Sequence, residues 1–352
     1  MKKIVKRISV VLGAAAMAAC FAFAGCAETS ENFVDGPEYS YRVTDKTDEY
    51  ILYTSGSSVV VDPGINIDGV FDESFYSGRN WLKANKILEQ SGQTETGTLE
   101  MTTYFSETGI VIAAHIVDSR AAVYSTSVET GNQTCFNGYF AFGDATTTGD
   151  DVYEIENTVA NVFKISEFVS GGLQVMYTEE NVTPVHAVRR VGDITKGECY
   201  EYYVEYFMPY ALFGRSECTS TVYFNPSMIS ATLDEYGSDI WSLRTWYNFG
   251  GRQSSLNGWG KPNSGYVFDR NGFISNDLTI EEAEGGTVTE EWGYDWTITG
   301  DMVNLNIAPD EGWRLAHLYV NGEDVAEDVV GSVYSFTSQG DVTVRPEFVR
   351  NA

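Results

Sequence analysis

The chain has 352 residues, 50 of them Asp or Glu and 22 Lys or Arg, for a formal net charge of −28. This length accommodates one large domain and a smaller one, and the acidic balance excludes nucleic acid and anionic lipid surfaces as partners, since a phosphate binder needs clustered cations. A hydrophobic share of 43%, with 22 Tyr, 19 Phe and 7 Trp, excludes wholesale disorder and, with 34 Gly, favours strands and turns.

The first stretch, "MKKIVKRISVVLGAAAMAACFAFAGCAETS", has a basic head, an apolar core and a small-residue exit, the pattern of a secretory signal over residues 1–25. Small residues interrupt the apolar run and polar "AETSEN" follows at once, which argues against a transmembrane span. "FAGC" resembles a lipobox, so Cys26 is the expected lipidated first residue of the mature chain. Cys20 in "MAAC" is less well placed, and a plain cut after "AFA" is the alternative. Removing residues 1–25 takes away four bases and moves the charge from −28 to −32. The expected location is the extracellular face of a bacterial cell membrane, with contact to the membrane through the lipid alone. Residues 26–58 are expected to form the lipidated N-terminus and a linker, polar and aperiodic as far as about Tyr50.

From Val59 to Asn276 the chain reads as strands. "SSVVVD" is short and β-branched, and "KANKILEQSGQ" is the one stretch that reads as a helical turn. "TLEMTTYFSETGIVIAAHIVDS" predicts two strands joined at "SETG", with Gly109 supplying the turn. "GYFAFGD", "YEIENTVANVFKISEF" and "GGLQVMYTEE" continue the pattern. "ECYEYYVEYFMPYALFG" alternates strictly, placing Tyr200, Tyr202, Val204 and Tyr206 on one face, with Pro209 as its end and "YALFG" as a short turn. "STVYFNPSMISATL" predicts a strand stopped by its proline. Such spacing with almost no helix predicts an all-β protein built on an antiparallel β-sandwich. Residues 277–352 change composition and predict a second, small β-rich unit with a "VNG" hairpin.

Three cysteines, Cys135, Cys199 and Cys218, follow the signal with no C-x-x-C, so zinc is not expected. An odd number allows at most one disulfide, for which Cys199 and Cys218 are candidates, and buried free thiols are the alternative. His115 sits in the apolar "VIAAHIVD" and is expected to be a satisfied core or sheet-face imidazole, and His186 and His317 stand far from it. No G-x-S-x-G, H-E-x-x-H, phosphate loop or dinucleotide fingerprint occurs. The acid pairs Asp150–Asp151 and Glu201–Glu205 are expected to be solvated charges. In "NIDGVFDESFY", turn and capping roles are expected for Asp68, Asp72 and Glu73, and a structural calcium site using Asp68 or Asp72 is the other reading.

The stretch with most ligand-binding character is "WSLRTWYNFGGRQSSLNGWGKP". It interleaves Trp241, Trp246, Tyr247 and Trp259 with Arg244, Asn248, Arg252, Gln253 and Asn257. Indole faces stack on the C–H face of a sugar while amides and guanidinium groups bind hydroxyls. The competing reading fills the sandwich core with Trp241 and Trp246, which stand five apart and so point to opposite sides of one strand.

Several stretches together resemble family 9 carbohydrate-binding modules and their DOMON-like relatives. "INIDGVFDESFY" is similar to their opening, and "MTTYFSETGIVIAAHIVDS" to the hairpin that follows. "YEYYVEYFMPYALFG" resembles a later segment, with Glu205, Pro209, Leu212 and Gly214 matching, and "TWYNFGGRQSSLNGWGKPNSGYVFD" resembles the close. The resemblance covers residues 59–276 and implies an antiparallel sandwich of jelly-roll or immunoglobulin-like form. It also implies two tryptophans that clamp a glycan end, and calcium as a structural ion. Trp246 stands at the later clamp position. The earlier one falls in "ETGNQTCFNGYFAFGD", which has no Trp, with Phe136 or Tyr139 as replacements. Residues 277–352 resemble bacterial repeats related to the internalin B repeat, through Asp310, Glu311, Gly312, Trp313, Val320, Asn321, Gly322 and Phe348. That resemblance implies a β-grasp-like spacer or adhesive module with Trp313 in its core.

The expected function is non-catalytic binding of an oligo- or polysaccharide through Trp246, Arg244, Tyr247, Asn248 and Trp259, with no required cofactor. The alternative is a surface scaffold or adhesion protein whose sandwich has lost its glycan site, with a protein partner on the C-terminal unit. A glycoside hydrolase would need two carboxylates facing each other across a cleft.

Overall fold

The computed structural model describes residues 39–43, 49–54, 60–61, 65–72, 76–84, 87–89, 97–124, 133–143, 152–169, 172–175, 184–218, 221–231, 245–249 and 265–351. Among them there is no α-helix, and short 3₁₀ turns such as Tyr210–Phe213 are the only helical pieces. The strands run as β1 (Tyr39–Val43), β2 (Glu49–Thr54), β3 (Val60–Val61), β4 (Ile65–Asn66), β5 (Leu82–Ala84), β6 (Ile87–Glu89), β7 (Thr98–Phe105), β8 (Gly109–Val117) and β9 (Cys135–Phe142). They continue as β10 (Val152–Thr158), β11 (Phe163–Val169), β12 (Gly172–Val175), β13 (Val185–Val191), β14 (Glu201–Pro209), β15 (Val222–Ser230), β16 (Thr245–Phe249), β17 (Tyr266–Asp269) and β18 (Gly272–Phe273). The C-terminal unit adds β19 (Asn276–Ile280), β20 (Gly286–Glu290), β21 (Trp296–Thr297), β22 (Met302–Pro309), β23 (Trp313–Val320), β24 (Glu323–Asp324), β25 (Val333–Thr337) and β26 (Val342–Arg350).

Two antiparallel sheets form the sandwich. The first has the order β1–β2–β13–β14–β8–β7–β5, and the second β12–β11–β10–β9–β15–β16–β6 with β17 and β18 attached through β15. The period-2 alternation of each strand sends one set of side chains between the sheets. Leu99 and Met101, then Ile110, Ile112, Ala114 and Ile116, then Tyr202, Val204, Tyr206 and Met208 come from the first sheet. Phe136, Phe140, Phe142, Tyr153, Ile155, Val222, Phe224 and Met228 come from the second, and all belong to one buried cluster. The expected face of Tyr202, Val204 and Tyr206 is therefore the core face. Tyr200 precedes the strand and is 46% exposed. As expected, β14 ends at Pro209 and "YALF" forms a 3₁₀ turn closed by Gly214 in the left-handed region.

Several expectations are corrected. The helical turn in "KANKILEQSGQ" is instead strand where it is described. Leu82 and Ala84 are buried with Lys83 outward between them, the two-residue period of a strand. β5 pairs with β7 while β6 pairs with β16, so this short stretch crosses from one sheet to the other. The linker is likewise not aperiodic throughout. "YSYRV" and "EYILYT" form β1 and β2, and β2 extends the first sheet by pairing with β13. Pro226 does not stop its strand. β15 runs through it, paired with β9 along one side, while on the other side β17 covers Val222–Phe224 and β16 covers Ser227–Ser230. Pro226 falls in the gap between those two ladders, where a missing N–H removes no rung. Gly109 follows a turn capped by Ser106, whose Oγ accepts the Thr108 and Gly109 N–H groups at 3.1 and 2.9 Å. Its need for glycine is packing, because a Cβ there would collide with the Met208 carbonyl and the Phe207 ring.

The C-terminal unit packs a mixed sheet, β21–β19–β26–β23–β24, against a smaller one, β20–β22–β25. Leu278, Val288, Val303, Leu305, Ile307, Leu318, Val342, Val344 and Phe348 fill the space between them, with Trp313 against its edge. The "VNG" hairpin is as expected: Asn321 and Gly322 have φ of 49° and 86°, the pair of positive values that joins twisted strands tightly. The two units are not separate cores. Tyr294, Trp296 and Ile298 belong to the sandwich cluster, with the Trp296 ring 4.8 Å from Phe273 and 5.8 Å from Tyr266.

Candidate functional site

A sandwich strand whose inner residues are aromatic is free to carry polar groups outward, and in the second sheet these gather. On β9, β10, β11 and β15 the residues out of phase with the core are Asn137 and Tyr139, Glu154 and Glu156, Lys164 and Ser166, and Asn225 and Ser227. Strand register lines them up across the sheet. Lys164 stands opposite Glu156, Glu156 opposite Asn137, Asn137 opposite Ser227, and Ser227 opposite Asn248 of β16. Five strands at about 4.8 Å spacing make this row roughly 19 Å wide. A second row, one pleat along, carries Ser166, Glu154, Tyr139 and Asn225.

The groups in these rows are joined to one another. One Glu154 carboxylate oxygen accepts from the Asn137 amide at 3.0 Å and the Tyr139 hydroxyl at 2.8 Å. The Ser227 hydroxyl donates to the Asn137 side-chain oxygen at 2.7 Å. Lys164 donates to Glu156 at 2.6 Å, an ion pair whose carboxylate end is nearly fully buried. Asn137, Tyr139, Glu154, Glu156, Asn225 and Ser227 are all buried. Burial, with the Glu154 carboxylate beside it, pushes the Tyr139 phenol far above its ordinary value, so it stays a hydroxyl donor. The face thus gathers amide, hydroxyl, ammonium and carboxylate groups that are buried and bonded largely to one another, groups of the kinds that hydrogen-bond hydroxyls.

The residues predicted from the sequence fall around this face in part. Trp246 stands in register with Ile229 and Asn248 with Ser227, positions that belong to the outer face. Tyr247 stands opposite Met228, a core position. Arg244, Trp259 and Trp241 lie outside the described residues, as do Asp150 and Asp151 and the proposed lipid site Cys26. Asn137, Glu154, Glu156, Lys164, Asn225 and Ser227 are not singled out by sequence; of the two residues offered in place of the earlier clamp tryptophan, Tyr139 lies in the second row and Phe136 in the core. The available signal is the pair Glu154 and Glu156, two apart and interleaved with Tyr153 and Ile155, a spacing that puts both carboxylates on the face opposite those two apolar side chains.

A second polar centre lies on the outer face of the first sheet and corrects the reading of Glu205 as a solvated charge. Glu205 is fully buried beneath the "NIDG" turn. One of its oxygens accepts the backbone N–H groups of Asp68 and Gly69, each at 2.9 Å, and the other accepts the Tyr76 hydroxyl. Burial pushes this carboxyl up to about 8, against the pull of those three hydrogen bonds. Ile67, Tyr76, Val111, Ala113, Val185, Ala187 and Phe207 close around it. Arg189 completes the lock, donating to the Gly69 carbonyl at 3.0 Å. Glu201, two pleats away, is only half-buried and pairs with His115 at 2.9 Å. His115 stacks on Tyr203 at 4.2 Å, a sheet-face imidazole as expected.

Asp68 acts as a turn acceptor, taking the Val70 N–H at 2.9 Å and the Asn66 amide at 3.1 Å, and Asp72 is exposed. Among the described residues no group of three or more His, Cys, Asp or Glu side chains gathers as a metal site. Cys135, Cys199 and Cys218 are free thiols, the first two buried.

No protein-family model matches the chain, and no curated protein does. Among solved structures, it is similar to a family 9 carbohydrate-binding module from Caldicellulosiruptor kristjanssonii in complex with cellotriose, with a TM-score of 0.40 and 10% identity over 58% of this chain and 89% of that one. A family 9 module of the same organism in complex with glucose gives a TM-score of 0.37 and 10% identity over 56% of this chain and 85% of that one.

Proposed function

We propose that this is an exported, lipid-anchored protein that binds carbohydrate without transforming it, on the outer face of the second sheet of the sandwich. The observation that carries this reading is the cross-strand row from Lys164 to Asn248, with Trp246 one pleat beyond it in the same register. A tryptophan at this register position together with amides, hydroxyls and carboxylates has the chemistry for both halves of sugar recognition, stacking and hydroxyl bonding. Trp246 is the stacking residue and Asn248 and Arg244 the hydrogen-bonding ones, with Trp259 completing the contact, while Tyr247 stands at a core register position and takes no part. The strongly acidic chain suits a neutral glycan. The carboxylates of the row support binding over hydrolysis, since Glu154 is held by Asn137 and Tyr139 and Glu156 by Lys164.

A glycan array followed by calorimetric titration of the hits tests this. Binding should be found, and Trp246→Ala should weaken it by about tenfold or more, the loss of one stacked sugar contact. Absence of binding to every glycan, or unchanged affinity in Trp246→Ala, rejects the reading. Lipidation at Cys26 is tested separately by fatty-acid labelling in a bacterial host. Label should enter the wild-type protein and be absent from Cys26→Ser.

A further inference from the structure

The sandwich core is not apolar throughout. At one end, side chains on its inner face carry polar atoms that meet no hydrogen-bond partner among the described residues: both amide atoms of Asn157, the hydroxyls of Tyr202 and Tyr206, and the hydroxyl of Ser230. All four residues are fully buried. Packing places them together. Asn157 stands between Phe136 on β9 and Phe163 on β11, its partners in register. Both of those rings contact the ring of Tyr206 on the opposite sheet, at 6.2 and 5.4 Å. Asn157 and Tyr206 therefore face each other across the core. Tyr202 lies four residues earlier on the same face of β14, and Ser230 follows Ile229, the register partner of Cys135 beside Phe136. The Tyr202 and Tyr206 hydroxyls both feel the Cys135 thiol, which fits the same corner.

We propose that this corner of the core is a binding site for ordered water. Five buried polar atoms without partners among the described residues exceed what a stable core leaves unpaired, because a buried donor or acceptor loses its bond to solvent and gains nothing. The donors and acceptors are complementary to water: the Asn157 amide group donates, its carbonyl accepts, and three hydroxyls can do either. A buried water makes about three hydrogen bonds, so about two molecules would serve all five atoms. Direct pairing among the side chains is the competing outcome, and a charged ligand is disfavoured because every group is neutral. This inference is independent of the glycan reading.

Two measurements on the full chain decide it. A high-resolution crystal structure should show discrete density within hydrogen-bond distance of Asn157 and Tyr206. Oxygen-17 relaxation dispersion should show slowly exchanging water in the wild type and a loss of that component in Asn157→Leu/Tyr206→Phe. Empty density with the side chains bonded to each other overturns the proposal, as does an unchanged slow component in the double variant. Should that variant fail to fold, the wild-type density still decides the matter.

Discussion

Glu205 and His186 are two buried titratable groups with opposite effects on stability. The carboxyl of Glu205 is pushed up to about 8, so between about pH 4.5 and 8 the folded chain holds a proton that the unfolded chain has lost. Its contribution is complete below pH 4.5 and declines as pH rises through 8. His186 is fully buried beside Phe163 and Asn161, and burial lowers it to about 3. Its contribution is complete above about pH 6.5 and declines as pH falls toward 3. Between pH 4.5 and 6.5 the two slopes cancel, and from 6.5 to 8 the Glu205 slope stands alone, at about 1.4 kcal/mol per pH unit as an upper bound. Glu205→Gln, which keeps an acceptor for the Asp68 and Gly69 N–H groups, should flatten that falling limb. Urea melts of both proteins at pH 6.5, 7 and 8 check it, and parallel decline would show that Glu205 is not the source. Glu205→Ala should instead lower stability at every pH by about 2–5 kcal/mol, since it strands two buried N–H groups.

At the scale of elements, the strand positions were legible because alternation is written in each segment: Tyr202, Val204 and Tyr206 announce the inner face of β14 without knowledge of any neighbour. What lies above the outer face is not local information. Glu201 and Glu205 look alike in sequence, and only the turn at residues 67–69, more than a hundred positions earlier, buries one and leaves the other half-exposed. The same limit explains β5 and β6, where a mixed-polarity stretch resembles a helical turn until two different sheets claim its halves. It explains Pro226 too, whose tolerance depends on β16 and β17 leaving a gap beside it. For the candidate site, Trp246 and Asn248 could be chosen from side-chain chemistry, whereas the Lys164–Glu156–Asn137–Ser227 row exists only through pairing. Packing makes one further expectation. Gly109→Ala should destabilise by about 1–3 kcal/mol, because the added methyl meets backbone as well as the Phe207 ring. Thermal melts that match the wild type would contradict the tightness of that approach.

For the whole molecule, the junction of the two units is the feature that composition alone obscured. The change in composition after Asn276 suggests an appended module, yet Trp296 reaches back between Tyr266 and Phe273 and shares their core. Trp296→Ala should cost about 3–5 kcal/mol and lower the melting temperature of the sandwich as well as the C-terminal unit. Two separate melting transitions, with only the later part of the chain affected, would contradict a shared core. Beyond this wedge, β19 leaves the sandwich and lies parallel to β26, paired from Leu278 to Ile280 against Val342 to Val344. A pull between the sandwich and the end of β26 would load these neighbours in opposite directions along their common axis. Their rungs would then bear force together rather than opening one by one, so the unit is built to resist stretching between the start of β19 and the end of β26.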